Sequence, residues 1–153
     1  MIHRDAITDL ILETFRLNGC LLAAGDALVA DLALTSARWQ VLGAIALSAV
    51  PLPVAHIARN MGLTRQAVQR LANEMKADGL VQFGPNPHHQ RAKLILLTPA
   101  GKAAYNAAMK RQGPWAGRLA AGLSTARIET ATATLRRVRQ RLDDRAGQET
   151  DDA

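Results

Sequence analysis

Apolar positions along this chain fall into blocks of different period, and each block predicts an element. From about Asp5 to Leu32, residues Ile7, Leu10, Ile11, Phe15, Leu17, Leu21, Leu22, Leu28 and Val29 wrap around more than one helix face, so that helix needs more than one neighbour. The longest uncharged stretch, Trp39 to Ala55, contains Pro51 and Pro53; too short and broken to span a bilayer, it reads as a buried helix and its exit turn. After Thr64, the residues Val68, Leu71 and Met75 recur on one narrow face, with Ala67 beside it. The runs Leu80–Phe83 and Leu94–Leu97, bounded by Gly and Pro, read as strands. Thr98 and Pro99 supply an N-cap and a first-turn proline for a helix through Lys102, Tyr105 and Met109, which Gly113-Pro114 is expected to kink or end. Ser124 caps a last helix whose Ile128, Ala131, Leu135, Val138 and Leu142 alternate at three and four residues. That seam spans about two heptads, too short to hold a coiled coil alone.

Between Ala58 and Leu71 the pattern acquires a corner. Ala58, Gly62 and Val68 have the spacing of a helix-turn-helix: a small residue permits close helix approach, Gly62 can take a positive φ, and Val68 faces back into the joint. The second helix carries its polar residues on the opposite face, where Arg65, Gln66, Gln69, Arg70, Asn73 and Lys76 are long donors and amides rather than Glu/Lys pairs. Arginine reads guanine, and glutamine or asparagine reads adenine, through paired hydrogen bonds, whereas Lys76 is better placed for a phosphate. With Thr64 as N-cap, Arg65 and Gln66 occupy the first turn, the part of such a helix that reaches bases.

The two strands enclose Gly84-Pro85-Asn86-Pro87 and a basic stretch, HHQRAK, and so form a wing. Arg91 at or near its tip suits the negative potential of a minor groove, and Lys93 a neighbouring phosphate. Composition agrees: among 153 residues, 48% are hydrophobic and only 3% aromatic, a composition that suits packed helices. A formal charge of +6 suits a polyanion. RNA-binding sheets offer stacking aromatics, and Phe83 and Tyr105 are too few and scattered, which leaves double-stranded DNA as the expected partner.

Other chemistries find little support. There is no HExxH, no Gly-rich phosphate loop, no nucleophile elbow and no convergent carboxylate pair, so an enzyme is not expected. Adjacent His88 and His89 point apart on a hairpin tip, and His3 and His56 have no reason to join them, so neither metal nor cofactor is expected. Asp5 and Asp9 interrupt any leader-like start, which predicts a cytoplasmic protein, at the nucleoid when bound to DNA, with no membrane partner. The single cysteine, Cys20, cannot form an internal disulfide and is expected to be a small buried hydrophobe.

The segments Leu34-Thr35-Ser36-Ala37-Arg38-Trp39-Gln40-Val41-Leu42, the helix-turn-helix, and RAKLILLTPAGKAAY from Arg91 to Tyr105 together resemble the MarR family of bacterial winged-helix transcription factors, in the family's order over roughly the whole chain. The resemblance implies an obligate homodimer with intertwined terminal helices, a pseudo-palindromic operator, usually repression, and release by a small, commonly aromatic, effector. It implies Thr64 to Asn73 as recognition helix and Arg91 as wing arginine. The family's wing usually has an Asp two residues before that arginine; here His89 stands there and cannot supply a carboxylate. The peroxide-sensing relatives use a first-helix cysteine supported by tyrosines, but around Cys20 that support is missing.

The expected fold is mainly α with a small β-wing. Residues 1–33 and 98–145 form a helical dimerisation region, 34–97 a winged helix-turn-helix, and 146–153 an acidic flexible tail. The over-apolar first helix and the last seam suit packing against a second copy, or completion of a monomeric core. Trp39 and Trp115 are candidate effector-binding residues, each with a flat apolar face and an N–H donor, although Trp39 equally suits plain core. Two alternatives remain: a winged-helix protein acting through protein contacts, and a redox regulator based on Cys20.

Overall fold

The computed structural model describes residues 2–151, with side chains from 4 to 146. Met1–Gly113 and Pro114–Ala153 form two compact units, each taken here by itself.

The first unit opens with helix α1, Ile2–Val29, which ends in a single 3-10 turn, Ala30–Leu32, and a left-handed Ala33. Thr35 starts α2, Ser36–Ala46, by accepting a hydrogen bond from the Arg38 N–H at 3.2 Å. Leu52–Pro53 then forms a short strand, β1, that passes directly into α3, Val54–Met61. Gly62, at φ 66°, closes α3 in the left-handed region that glycine enters without steric penalty. The next helix, α4 (Arg65–Ala77), begins at Thr64, whose Oγ1 accepts from the Ala67 N–H at 3.1 Å. Strands β2, Val81–Gly84, and β3, Leu94–Leu97, follow, and α5, Pro99–Ala120, begins with Thr98 Oγ1 accepting from Gly101 N–H at 3.0 Å.

The sheet is antiparallel with order β1-β3-β2, Leu52 opposite Ile95 and Val81 opposite Leu97. The third strand was not expected: Pro51 and Pro53 read as an exit turn, yet a two-residue edge strand can carry proline because its outward side donates nothing. Val41, Leu42, Ile57, Ala58, Val68, Ala72, Met75, Val81, Ile95 and Ala108 are buried together, so α2, α3, α4, the sheet and the start of α5 share one core. On α4 the buried face matches the pattern with one exchange. Ala67 is exposed and Ala72 takes the core position, because the helix turns its Val68–Ala72–Met75 line inward.

Two further expectations are corrected. Of the kink or end expected at Gly113-Pro114, the end is overturned, since Pro114 lies inside α5. Proline's fixed φ is itself helical, and the helix formers on both sides outweigh one missing donor. Cys20 is exposed rather than buried, since most of α1 before Ala24 projects its side chains away from the core of its own unit.

The second unit holds the end of α5, a turn with Gly122 at φ 78°, and α6, Thr125–Asp151. The backbone of α6 thus extends into the segment expected as a tail, whose side chains from residue 147 lie outside the described residues, as do Asp152 and Ala153 altogether.

Candidate nucleic-acid interface

Helix α4 stands with its apolar line in the core and its polar face outward, and the sequence makes that orientation compulsory. Val68, Ala72 and Met75 are fully buried, and three-residue and four-residue steps between them leave the other side of the helix in solvent. Thr64, Arg65, Gln66, Gln69, Arg70, Asn73 and Lys76 are all exposed. Gln69 Nε2 donates to Asn73 Oδ1 at 2.9 Å, which fixes the two amides relative to one another on adjacent turns. Lys76 holds its Nζ 5.4 Å from the centre of the Phe83 ring, so a cation on α4 rests on a ring of β2.

The wing loop between β2 and β3 is held by its own side chains. Asn86 Oδ1 accepts from the His88 N–H at 3.0 Å, and Asn86 Nδ2 donates to the Ala92 carbonyl at 2.8 Å. His89 Nδ1 accepts from the Ala92 N–H at 3.2 Å. An imidazole therefore does at this position what a short carboxylate does in an Asx turn, binding a main-chain amide further along the loop. It ties down the turn that carries Arg91 and leaves the guanidinium exposed. The role of Asn86 was not anticipated; the asparagine between two prolines was the available signal, since Asx turns favour that chemistry.

Between α4 and the wing lies a cleft of about 780 Å³. It brings together Arg65, Gln69, Asn73, Lys76, Arg91 and Lys93, so cations from helix and wing face one concavity with amides between them. Gln66 and Arg70 are on the exposed surface of the same helix, outside the cleft lining. Such a surface offers hydrogen-bond donors and positive charge to a polyanion, with amides able both to donate and to accept. Trp39 is half-buried against the core of the first unit, and Trp115 is half-buried in the second. Among the described residues no group of three or more His, Cys, Asp or Glu is placed to hold a metal ion, and no single helix is long and apolar enough to cross a membrane.

Comparison with known proteins bears on what such a surface serves. The family model for the MarR family matches residues 34–92. An uncharacterized protein of Mycobacterium tuberculosis is 35% identical over 134 residues, covering 88% of this chain and 92% of its own length. Among solved structures, the transcriptional regulator MosR of M. tuberculosis, crystallised in complex with DNA, superposes with a TM-score of 0.70 at 27% identity, over 88% of this chain and 96% of that one. CouR from Rhodococcus jostii, crystallised with p-coumaroyl-CoA, shares the fold with a TM-score of 0.77 at 24% identity, over 86% and 92%.

Proposed function

The chain belongs to the MarR family of transcriptional regulators, and from that premise we propose that it is a sequence-specific DNA-binding repressor acting in the cytoplasm as a homodimer on a pseudo-palindromic operator. The observation that carries the reading is the outward face of α4: donors and amides, with Glu74 the one acidic residue of the helix and outside the cleft lining, flanked by a basic wing across one cleft. Arg65, Gln66, Gln69, Arg70 and Asn73 read base edges, with Thr64 fixing the helix start; Lys76 and Lys93 hold phosphates, and Arg91 enters the minor groove. MosR, with the same fold, was crystallised in complex with DNA, which supports DNA as the partner.

Homodimerisation is supported by apolar surface on both long terminal helices. Ile7, Ile11, Leu12, Phe15, Leu21 and Leu22 on α1, and Ile128, Leu135 and Leu142 on α6, are exposed. Contiguous apolar surface of this kind marks an interaction site. A second copy supplies the matching half-site reader. On this reading residues 1–33 and 98–145 serve dimerisation and 34–97 DNA binding. Release by a small aromatic effector is favoured by the ligand-bound state of CouR; Trp39 and Trp115, each with a flat apolar face and an N–H donor, are separate candidate contacts for it.

Selection of bound duplexes from a random pool, repeated with aromatic carboxylates and thioesters, tests the reading. A palindromic motif is expected, weakened by one ligand. Binding to it should fall by orders of magnitude over a few-fold rise in salt, and Gln66→Ala or Gln69→Ala should relax base preference by about 1–3 kcal/mol while general binding persists. Enrichment of no motif would overturn it.

A further inference from the structure

Arg38 and Asp78 each sit where their own helix disfavours them. Arg38 lies in the first turn of α2, where the helix dipole is positive, and Asp78 is the C-cap of α4, where it is negative. Each nevertheless finds the other: Arg38 Nη1 donates to Asp78 Oδ2 at 2.7 Å, with the arginine side chain only 18% exposed. A local conflict satisfied only by a contact 40 residues away marks a position chosen for that contact.

The place gripped matters. Asp78 begins the passage from α4 to the wing: Gly79 takes φ 75°, and the Leu80 N–H returns to the Met75 carbonyl at 2.9 Å. Thr98 Oγ1 donates to the Gly79 carbonyl at 2.6 Å, and a Cβ on Gly101 would run into the Leu80 carbonyl, so the start of α5 presses on the two residues that follow Asp78. At its other end Arg38 is anchored through α2. The Ser36 N–H donates to Asp26 Oδ1 at 2.6 Å and Ser36 Oγ to the Leu22 carbonyl at 2.7 Å, which fixes the start of α2 on α1. A Cβ on Gly25 would meet Ser36 Oγ, so that joint has no slack.

We propose that Arg38 is a positioning residue for DNA recognition, setting the angle of α4 and the base of the wing relative to α1 by holding Asp78. The proposal rests on the reading of α4 as the recognition helix. The pair is open to solvent on the Asp78 side, 54% exposed, so screening limits what it adds to stability and its consequence lies in geometry, felt at the far, base-reading end of a 13-residue helix. It also places a mechanical link between α1, which carries the exposed apolar surface, and the DNA-reading helix, so a change at one is felt at the other.

The test is a double-mutant cycle on the full-length protein with R38M, D78N and R38M/D78N. The wild type first establishes its selected duplex; failure there sinks the DNA reading and leaves the cycle without its premise. Given a selected duplex, each single variant should lower the ratio of specific to scrambled-duplex affinity about three- to tenfold, and the double variant no further. The slope of affinity against salt should not change, because no phosphate contact is lost. Melting should move by a few degrees at most. An unchanged ratio, additive losses in the double variant, or a slope reduced by about one in R38M, the mark of a direct phosphate contact, would each overturn the proposal.

Discussion

The winged segment and the helix that precedes it treat apolar residues in opposite ways. From Leu34 to Leu97, the large apolar side chains are mostly buried or half-buried in one core built by α2, α3, α4 and the sheet, which Val29 at the end of α1 and Ala108 of α5 complete. Along α1, Ile7, Ile11, Leu12, Phe15, Leu17, Leu21 and Leu22 remain exposed, Phe15 at 72%. The first region is finished within its own unit, with the end of α1 and part of α5 as its walls, whereas most of α1 is written for a surface that unit does not supply. The recognition chemistry proposed above falls on the finished region, which suits side chains that must be held to hydrogen-bonding tolerance. The unfinished one can govern spacing and number of copies.

The largest effect that would break this contrast comes from a charge on the exposed stripe. Phe15→Asp should leave the helical content unchanged, because the side chain touches little within its own unit, while converting a dimer to a monomer by sedimentation. Loss of the second reader should weaken operator binding by about 10²–10⁴-fold. A variant that remains dimeric with unaltered binding would show that the stripe is not where copies meet.

The contrast was largely legible because its determinants are local. Gly62 and Thr64 specify a corner and a helix start within three residues, and the structure gives both, φ 66° and a capped Ala67 amide. The outward face of α4 followed from period alone. What escaped prediction is non-local or overruled by neighbours. Strand β1 is two residues long and exists only because β3 passes beside it, 43 positions from Leu52 to Ile95. Arg38–Asp78 is invisible in sequence, since nothing nearby calls for either charge. The Gly113-Pro114 pair is a genuine local breaker that a 22-residue helix overrides. Cys20 was misjudged for the opposite reason. An apolar neighbourhood in sequence suggested burial, but on α1 apolar character does not mean core.

A glycine pair sharpens the same comparison at intermediate size. Gly101 is buried where α5 meets Leu80, and an added methyl would run into a main-chain carbonyl that cannot move without displacing the wing. Gly117, further along the same helix, has open space around the position of a Cβ. Gly101→Ala should therefore destabilise the protein by about 1–3 kcal/mol through overpacking. Gly117→Ala should instead stabilise it by about 0.5–1 kcal/mol through helix propensity. Denaturant melts of the two variants check the signs; equal effects would mean that the finished region is less tightly closed than its geometry indicates.

The smallest effect lies at the seam between the two behaviours, where α1 ends. Arg111 on α5 donates to both carboxylate oxygens of Asp31, at 2.7 Å from Nη2, and to the Leu28 carbonyl at 3.0 Å, closing the last turn of α1 onto the first unit. Hydrogen bonding to the guanidinium, aided by its charge, holds the Asp31 carboxyl below its ordinary value of 3.8 against the opposing effect of burial. A depressed carboxylate pKa means that folding favours the ionised form. The pair's contribution is complete above the ordinary carboxylate range and disappears as pH falls through the lowered value. Asp31 is well exposed and solvent screens the pair, so the gain at neutral pH is small. Melting temperatures of the wild type and Asp31→Asn, followed from neutral pH downward, should differ modestly at pH 7 and converge once the pH has fallen through the lowered Asp31 value. A gap that persists at the acid end would mean that Asp31 acts there through the shape of the turn rather than through its charge, and that the boundary between closed and open regions is set by backbone packing alone.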